Sequence, residues 1–236
     1  MPRPVKQRQA ISGPCAGSAL QWRPFNALGR SGCLWPQIPY PAVNPRLRLR
    51  PTMLSDLDFV ISVERDSHNL PFITPWERMQ HEGAVRFPDF RHFIVEGGED
   101  YAAIGFVILQ GCRNPQRSVE LKRLVLQTKG LGYGRACVRL LKQMAFRDLH
   151  AHRFWLDVKQ LNTRALALYA SEGFVEEGRL RESVRVSIDG ADGYDSLVVM
   201  SMLDREYQAR VALDQEGAWP LARDRRKPTP KEGDAR

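Results

Sequence analysis

Between the apolar run Leu124, Val125, Leu126 and the helix-forming run from Ala136 to Phe146, the chain carries three glycines at alternate positions. They lie in Lys129-Gly130-Leu131-Gly132-Tyr133-Gly134-Arg135. No other stretch constrains the fold as strongly. Glycine has no Cβ, so its backbone reaches conformations closed to other residues and its N–H groups can converge on one point. A helix that begins there adds a partial positive charge. Strand, glycine loop and helix together form an anion-binding arrangement suited to phosphate groups. The spacing excludes two nucleotide fingerprints. Counted from Gly130 and Gly132, the third glycine of a dinucleotide-binding GxGxxG falls on Arg135; counted from Gly132 and Gly134 it falls on Cys137, and GxxxxGK is absent.

Strand and helix signals alternate on both sides of this loop. Arg46–Arg50 has a two-residue period, and residues 55–68 read as a helix capped by Ser55. Residues 74–87 read as a second helix, with Thr74 ahead of Pro75 and Glu77 in the first turn. Three strands follow, in RHFIVEG, YAAIGFVILQG and SVELKRLVLQ, separated by turn residues that suit antiparallel hairpins. In the run after the glycines, Cys137, Leu140, Leu141, Met144, Ala145 and Leu149 share one face of an amphipathic helix. HRFWLDVK predicts a strand, and NTRALALYASEG a helix capped by Asn162 and stopped by Gly173. Two final strands flank the turn Asp189–Gly193. The predicted fold is α/β, with a mixed, mostly antiparallel sheet flanked by helices.

Charge decides which partners to expect. Of 35 Lys and Arg residues, eight fall between Met1 and Ser55, where there is no Asp or Glu; the remaining 35 − 8 = 27 face 27 acidic residues. The formal charge of +8 is therefore carried by residues 1–55, five of the eight basic residues lying before residue 46, and a nucleic-acid partner is not expected of the rest. The expected division is a basic, Pro- and Arg-rich disordered arm (1–45), one domain (46–207) and a polar tail (208–236). The arm's acid-poor composition suits a transit segment or a misplaced start, but its prolines oppose an amphipathic helix. No run is long and apolar enough for a signal peptide or a membrane span, so a cytoplasmic protein without a membrane partner is expected. Cys15, Cys33, Cys112 and Cys137 show no CxxC pairing, and neither a zinc site nor a disulfide framework is expected.

The pattern Lys129, two positions, Gly132, any residue, Gly134 resembles the pyrophosphate loop of the GNAT superfamily of acyl-CoA N-acyltransferases, with Lys129 where Arg or Gln is usual. The stretch LDVKQLNTRALALYASEGFVEEGRLRE is similar to the second half of that fold, and Asn162, Leu166 and Tyr169 share a helical face by spacing. The resemblance spans about 46–205 and looks nearest to the ribosomal-protein N-terminal acetyltransferase type, on GRLRE and YDSLVVMSML.

It implies a central pair of parallel strands, 118–127 and 153–159, that splay to admit acetyl-CoA. Leu124, Val125 and Leu126 would bind the pantetheine arm through their backbone. Gly130, Leu131, Gly132, Tyr133, Gly134 and Arg135 would hold the pyrophosphate by their N–H groups, with Lys129 and Arg135 adding charge and Asn162 nearby. Acetyl-CoA is the implied co-substrate, with no metal, and the implied partner is an amine acceptor, a protein N-terminus or a small molecule. The implied assembly is a monomer or homodimer.

A protonated amine must lose its proton before it can attack. Glu120 is the candidate general base, acting directly or through water, and Tyr169 the candidate acid for the departing thiolate. Phe72, Trp76, Glu77, Asp189, Asp192 and Asp195 are candidates for the acceptor pocket. Two alternatives are a catalytically silent CoA-binding module and a nucleic-acid-associated protein acting through the arm.

Overall fold

The computed structural model describes residues 47–188 and 191–215. The expectations for the arm before residue 47, the tail after 215 and the turn residues 189 and 190 lie outside the described residues. The strands are β1 (Leu47–Pro51), β2 (Arg91–Gly97), β3 (Ala102–Gln110), β4 (Ser118–Leu126), β5 (Arg153–Lys159), β6 (Val175–Ile188) and β7 (Ala191–Leu203). The helices are α1 (Leu57–Glu64), α2 (Arg78–Arg86), α3 (Tyr133–Gln143), α4 (Thr163–Ser171) and α5 (Asp204–Gln215). All seven strands join one sheet in the order β1-β2-β3-β4-β5-β7-β6. Every neighbouring pair is antiparallel except β4 and β5, which are parallel. Among the described residues, no helix is long and apolar enough to cross a membrane.

The sheet has a core on each face. On one, α3 and α4 bury Cys137, Val138, Leu141 and Tyr169 against Val107, Leu109, Leu156 and Val158. On the other, α1 lays Leu57, Val60 and Val63 on Ile94, Phe106, Ile108 and Val125. Each such Val, Leu or Phe contributes about 1.5–3 kcal/mol by leaving water, so both faces are firmly covered. Both glycine-dependent turns of the α3–α4 unit are present. Gly132 caps α3 at φ +83°, and Gly173 ends α4 at φ +95°, with Phe174 N–H donating to the Tyr169 carbonyl at 3.0 Å.

Three boundaries differ from expectation. Ser55 does not cap α1: it sits inside a 3₁₀ turn, Leu54–Asp56, and Asp56 is the residue before the helix. The Asp56 carboxylate accepts from Met53 N–H and is gripped by Arg50 at 2.7 and 2.9 Å, which moves the start one residue on. The second helix begins at Arg78 rather than at Pro75, because the backbone before it is engaged elsewhere. Arg123 takes the Thr74 carbonyl, Glu64 takes Trp76 N–H, and Glu77 becomes the cap. Finally, α5 runs across the expected domain end at 207, and Tyr207 stacks on Phe146 at 4.7 Å.

Candidate active site

The parallel pairing of β4 and β5 is short. It covers Ser118–Arg153, Val119–Phe154 and Glu120–Trp155, then stops, although β4 continues to Leu126 and β5 to Lys159. Beyond Glu120 the two strands bound a cleft of about 190 Å³, walled by residues 121–124, 157–159 and Tyr169. β4 therefore has β3 on one side and an open edge on the other. Its unpaired N–H and C=O groups can accept an extended, amide-bearing chain as an added strand.

A bulge sits at the mouth of the cleft. Leu109 of β3 opposes Leu121, while Ile108 opposes Arg123, so Lys122 is an extra residue without a cross-strand partner. The faces change accordingly. Val119 and Leu121 point to the α3–α4 core, and so do Leu124 and Leu126; Arg123 and Val125 face α1.

The glycine loop leads directly from β4 into α3. Gly130 and Gly132 are left-handed, at φ +89° and +83°, so these two positions require glycine, whereas Gly134 is not left-handed. A Cβ on Gly134 would meet Leu168 at 3.4 Å and Leu126 at 4.0 Å, both ordinary contacts. The first N–H groups of α3, from Tyr133 to Arg135, have no intrahelical acceptor and are available to a diphosphate. Leu131 is exposed, and the Tyr133 ring lies against Gly97.

The two expected phosphate cations are engaged with protein groups. Lys129 Nζ donates to the His68 carbonyl at 2.6 Å, and Arg135 donates to Glu172 at 2.7 Å and to Ser171 at 3.0 Å. Glu172 also pairs with Arg139 and Lys142. Burial opposes its ionisation, but Lys142 and Arg139 outweigh burial and hold its carboxyl below the usual range. Arg164, unremarked in the sequence, lies close enough to Lys129 to add to burial in lowering its pKa, and it places a second positive charge beside the loop.

Asn162 caps α4, its Oδ1 accepting from Ala165 N–H at 3.2 Å, and it lines the cleft together with Tyr169. Tyr169 is 8% exposed; burial, then Cys137 and Asp157, push its phenol well above the ordinary tyrosine range. It therefore stays protonated at neutral pH. Glu120 is 7% exposed at the point where the strands part, opposite Trp155, and accepts from Lys122 Nζ at 3.0 Å.

Sequence reading missed the buried charge cluster beneath the cleft. Glu64, fully buried on α1, accepts from Arg123 Nε at 3.2 Å and from Trp76 N–H at 2.8 Å, and lies 3.2 Å from His81 Nε2. His81 Nδ1 is 3.3 Å from His92 Nε2, and His92 Nδ1 is 2.9 Å from Thr52 Oγ1. Three basic side chains also hold the segment between α1 and α2 by its carbonyls. Lys129 takes His68, Lys159 takes Pro71 at 3.1 Å, and Arg123 takes Thr74 at 2.8 Å. The signal in the sequence was the polar alternation Asp157, Lys159 near the end of β5.

The acceptor candidates separate. Phe72 lines the cleft, but Trp76 packs under Arg123 and lines a different hollow beside α2. Glu77 faces Arg65 at 3.5 Å, Asp192 pairs with Arg185 at 2.6 Å, and the Asp195 oxygens accept from Leu161 and Ser196 N–H. No three His, Cys, Asp or Glu side chains are placed so that they could hold a metal ion among the described residues.

With this geometry in place, residues 46–175 match the acetyltransferase (GNAT) domain family, over more than half of the chain. The chain belongs to the GNAT acetyltransferase family. Its fold is the GNAT fold, with a mostly antiparallel seven-stranded sheet and one splayed parallel pair. It is 26% identical over 181 residues to the spermidine N(1)-acetyltransferase of Vibrio cholerae, covering 71% of this chain and 99% of that protein. An uncharacterised N-acetyltransferase of Mycobacterium bovis is 36% identical over 100 residues, 40% of this chain and 63% of the relative. The crystal structure of the Vibrio enzyme in complex with CoA and spermine superposes with a TM-score of 0.59 at 26% identity, covering 69% of this chain and 98% of that one. A dodecameric structure of the same enzyme gives 0.58 at 27% identity, covering 70% and 97%. As a GNAT protein the chain is an acetyl-CoA-dependent N-acetyltransferase.

Proposed function

We propose that this chain moves the acetyl group of acetyl-CoA onto the primary amine of a small molecule. The observation that carries this reading is the abrupt end of β4–β5 pairing after Glu120, which opens a cleft closed on one side by the segment joining α1 to α2. Relatives aligned along nearly their whole length are named for spermidine, which supports a small-molecule acceptor over the protein N-terminus of the ribosomal-protein type.

In the proposed reaction the amine nitrogen bonds to the acetyl carbon and the carbon–sulfur bond breaks. Glu120 takes the proton that the amine sheds, directly or through water, and Tyr169 gives its phenolic proton to the thiolate. A backbone N–H near Leu124–Leu126, past the bulge, polarises the thioester carbonyl. The open edge of residues 124–126 takes the pantetheine amides. The N–H groups from Gly130 to Arg135 take the diphosphate, with Lys129 and Arg164 at the rim and Asn162 fixing α4 beside it. A thioester is already activated, so positioning and proton handling suffice for the chemistry.

The test is thiol release from acetyl-CoA by the full chain across an amine panel. Turnover in the wild type, with the Tyr169→Phe variant binding acetyl-CoA normally but reacting at least about 100-fold more slowly, supports the assignment. Acetyl-CoA binding with no acceptor acetylated leaves the silent CoA-binding module. Nucleic-acid affinity that falls steeply with salt and vanishes without residues 1–45 would identify a role for the arm alone.

A further inference from the structure

The charges around the cleft pair off, with two exceptions. Lys122 is bridged to Glu120 at 3.0 Å, and Arg123 to Glu64 at 3.2 Å. Asp157 and Lys159, both lining the cleft, have no ion-pair partner among the described residues. Lys159 is 7% exposed and donates to the Pro71 carbonyl, with no carboxylate at ion-pair distance among the described residues. The carboxylate that acts on it through space, Asp195, already accepts two backbone N–H groups.

Asp157 and Lys159 are two residues apart, so they share a face of β5. Register identifies that face: Trp155 pairs with Glu120, whereas Phe154, Leu156 and Val158 point into the α3–α4 core. The pair therefore faces the segment that joins α1 to α2, beyond the point where the strands part, and the Asp157 charge reaches Tyr169. Two strand residues span about 6.6 Å. An ammonium and a carboxylate joined through one to three carbons fit that span, with a hydrogen bond at each end.

We infer that the acceptor is an amine bearing a nearby anionic group, of the amino-acid class, with Asp157 receiving its ammonium and Lys159 its carboxylate. This rests on the acetyltransferase reading above and narrows it. A polyamine offers several positive charges to a cleft that has one carboxylate outside an ion pair and a lysine beside it. It lacks the anion that Lys159 is placed to meet.

Matched acceptors test the inference: α-amino acids, the same amino acids as C-terminal amides, and spermidine, each assayed by thiol release with the full chain. The expected result is kcat/KM at least about tenfold higher for an amino acid than for its amide, and higher than for spermidine. Lys159→Met should lower kcat/KM for the amino acid at least about tenfold more than for the amide, and Lys159→Arg should restore part of the preference. Normal acetyl-CoA affinity by calorimetry shows that the variants are folded. Faster acetylation of spermidine than of every carboxylate-bearing amine, or equal rates for acid and amide, overturns the inference and leaves the transferase reading standing. Equal losses for acid and amide in Lys159→Met also overturn it. Absence of thiol release with every amine, despite acetyl-CoA binding, overturns both.

Discussion

At the scale of single residues the proton-handling groups make separate demands. Burial keeps the Tyr169 phenol protonated, so Tyr169→Phe removes a donor without opening a cavity. Its kcat should fall about 100-fold or more, with the dissociation constant for acetyl-CoA unchanged by calorimetry. Glu120→Gln keeps shape and hydrogen bonding but removes the proton acceptor and one side of the Lys122 pair. A loss of about 100-fold in kcat/KM, partly recovered at higher pH where more amine is already neutral, is expected; a pH–rate profile identical to wild type would remove Glu120 from the mechanism. Tyr169 and Asn162 were legible because their seven-residue spacing is a local property of a helix. Arg123 and Glu64 were not, because 59 residues separate them and only the folded sheet places one against the other. Glu77, Asp192 and Asp195 looked available as isolated letters, and each proves to be held by a neighbour.

At the scale of elements, the loop from β4 to α3 carries unequal glycines. Gly132→Ala forces a left-handed alanine at the start of a helix, and a loss of about 1 kcal/mol in stability is expected, with weaker acetyl-CoA binding. Gly134→Ala touches only the methyls of Leu168 and Leu126 and should leave both nearly unchanged. Chemical denaturation and calorimetry on the two variants check the contrast. Between α1 and the sheet, Glu64→Ala leaves Arg123 and His81 buried without their shared carboxylate and should destabilise by about 3–5 kcal/mol. Secondary structure was legible wherever period and capping agreed, as in α4. It was misjudged by one to four residues at α1 and α2, where arginines from elsewhere in the fold take the groups that would otherwise cap or extend a helix.

At the scale of the whole molecule, the mixed, mostly antiparallel sheet and its central parallel pair followed from the resemblance, while the buried electrostatics did not. Burial, with His81 adding to it, presses His92 down to about 3, so His92 stays neutral in the folded chain at pH values where the unfolded chain binds a proton. Between pH 6.5 and 3 the unfolded state therefore holds the extra proton, and stability falls as pH falls, by about 1.4 kcal/mol per unit. Urea midpoints should drop from pH 6.5 to 5, above the range where most carboxylates titrate, and the slope should flatten in His92→Leu. A last consequence lies in the bulge at Lys122. Because Leu121 and Arg123 already point to opposite sides, deleting that one residue would restore plain alternation and leave Leu121, Arg123, Leu124 and Val125 on the faces and opposite the β3 partners they have now. This strand can thus shed its odd residue without turning any side chain over, and a Lys122 deletion should still fold, with circular dichroism and urea denaturation as the check.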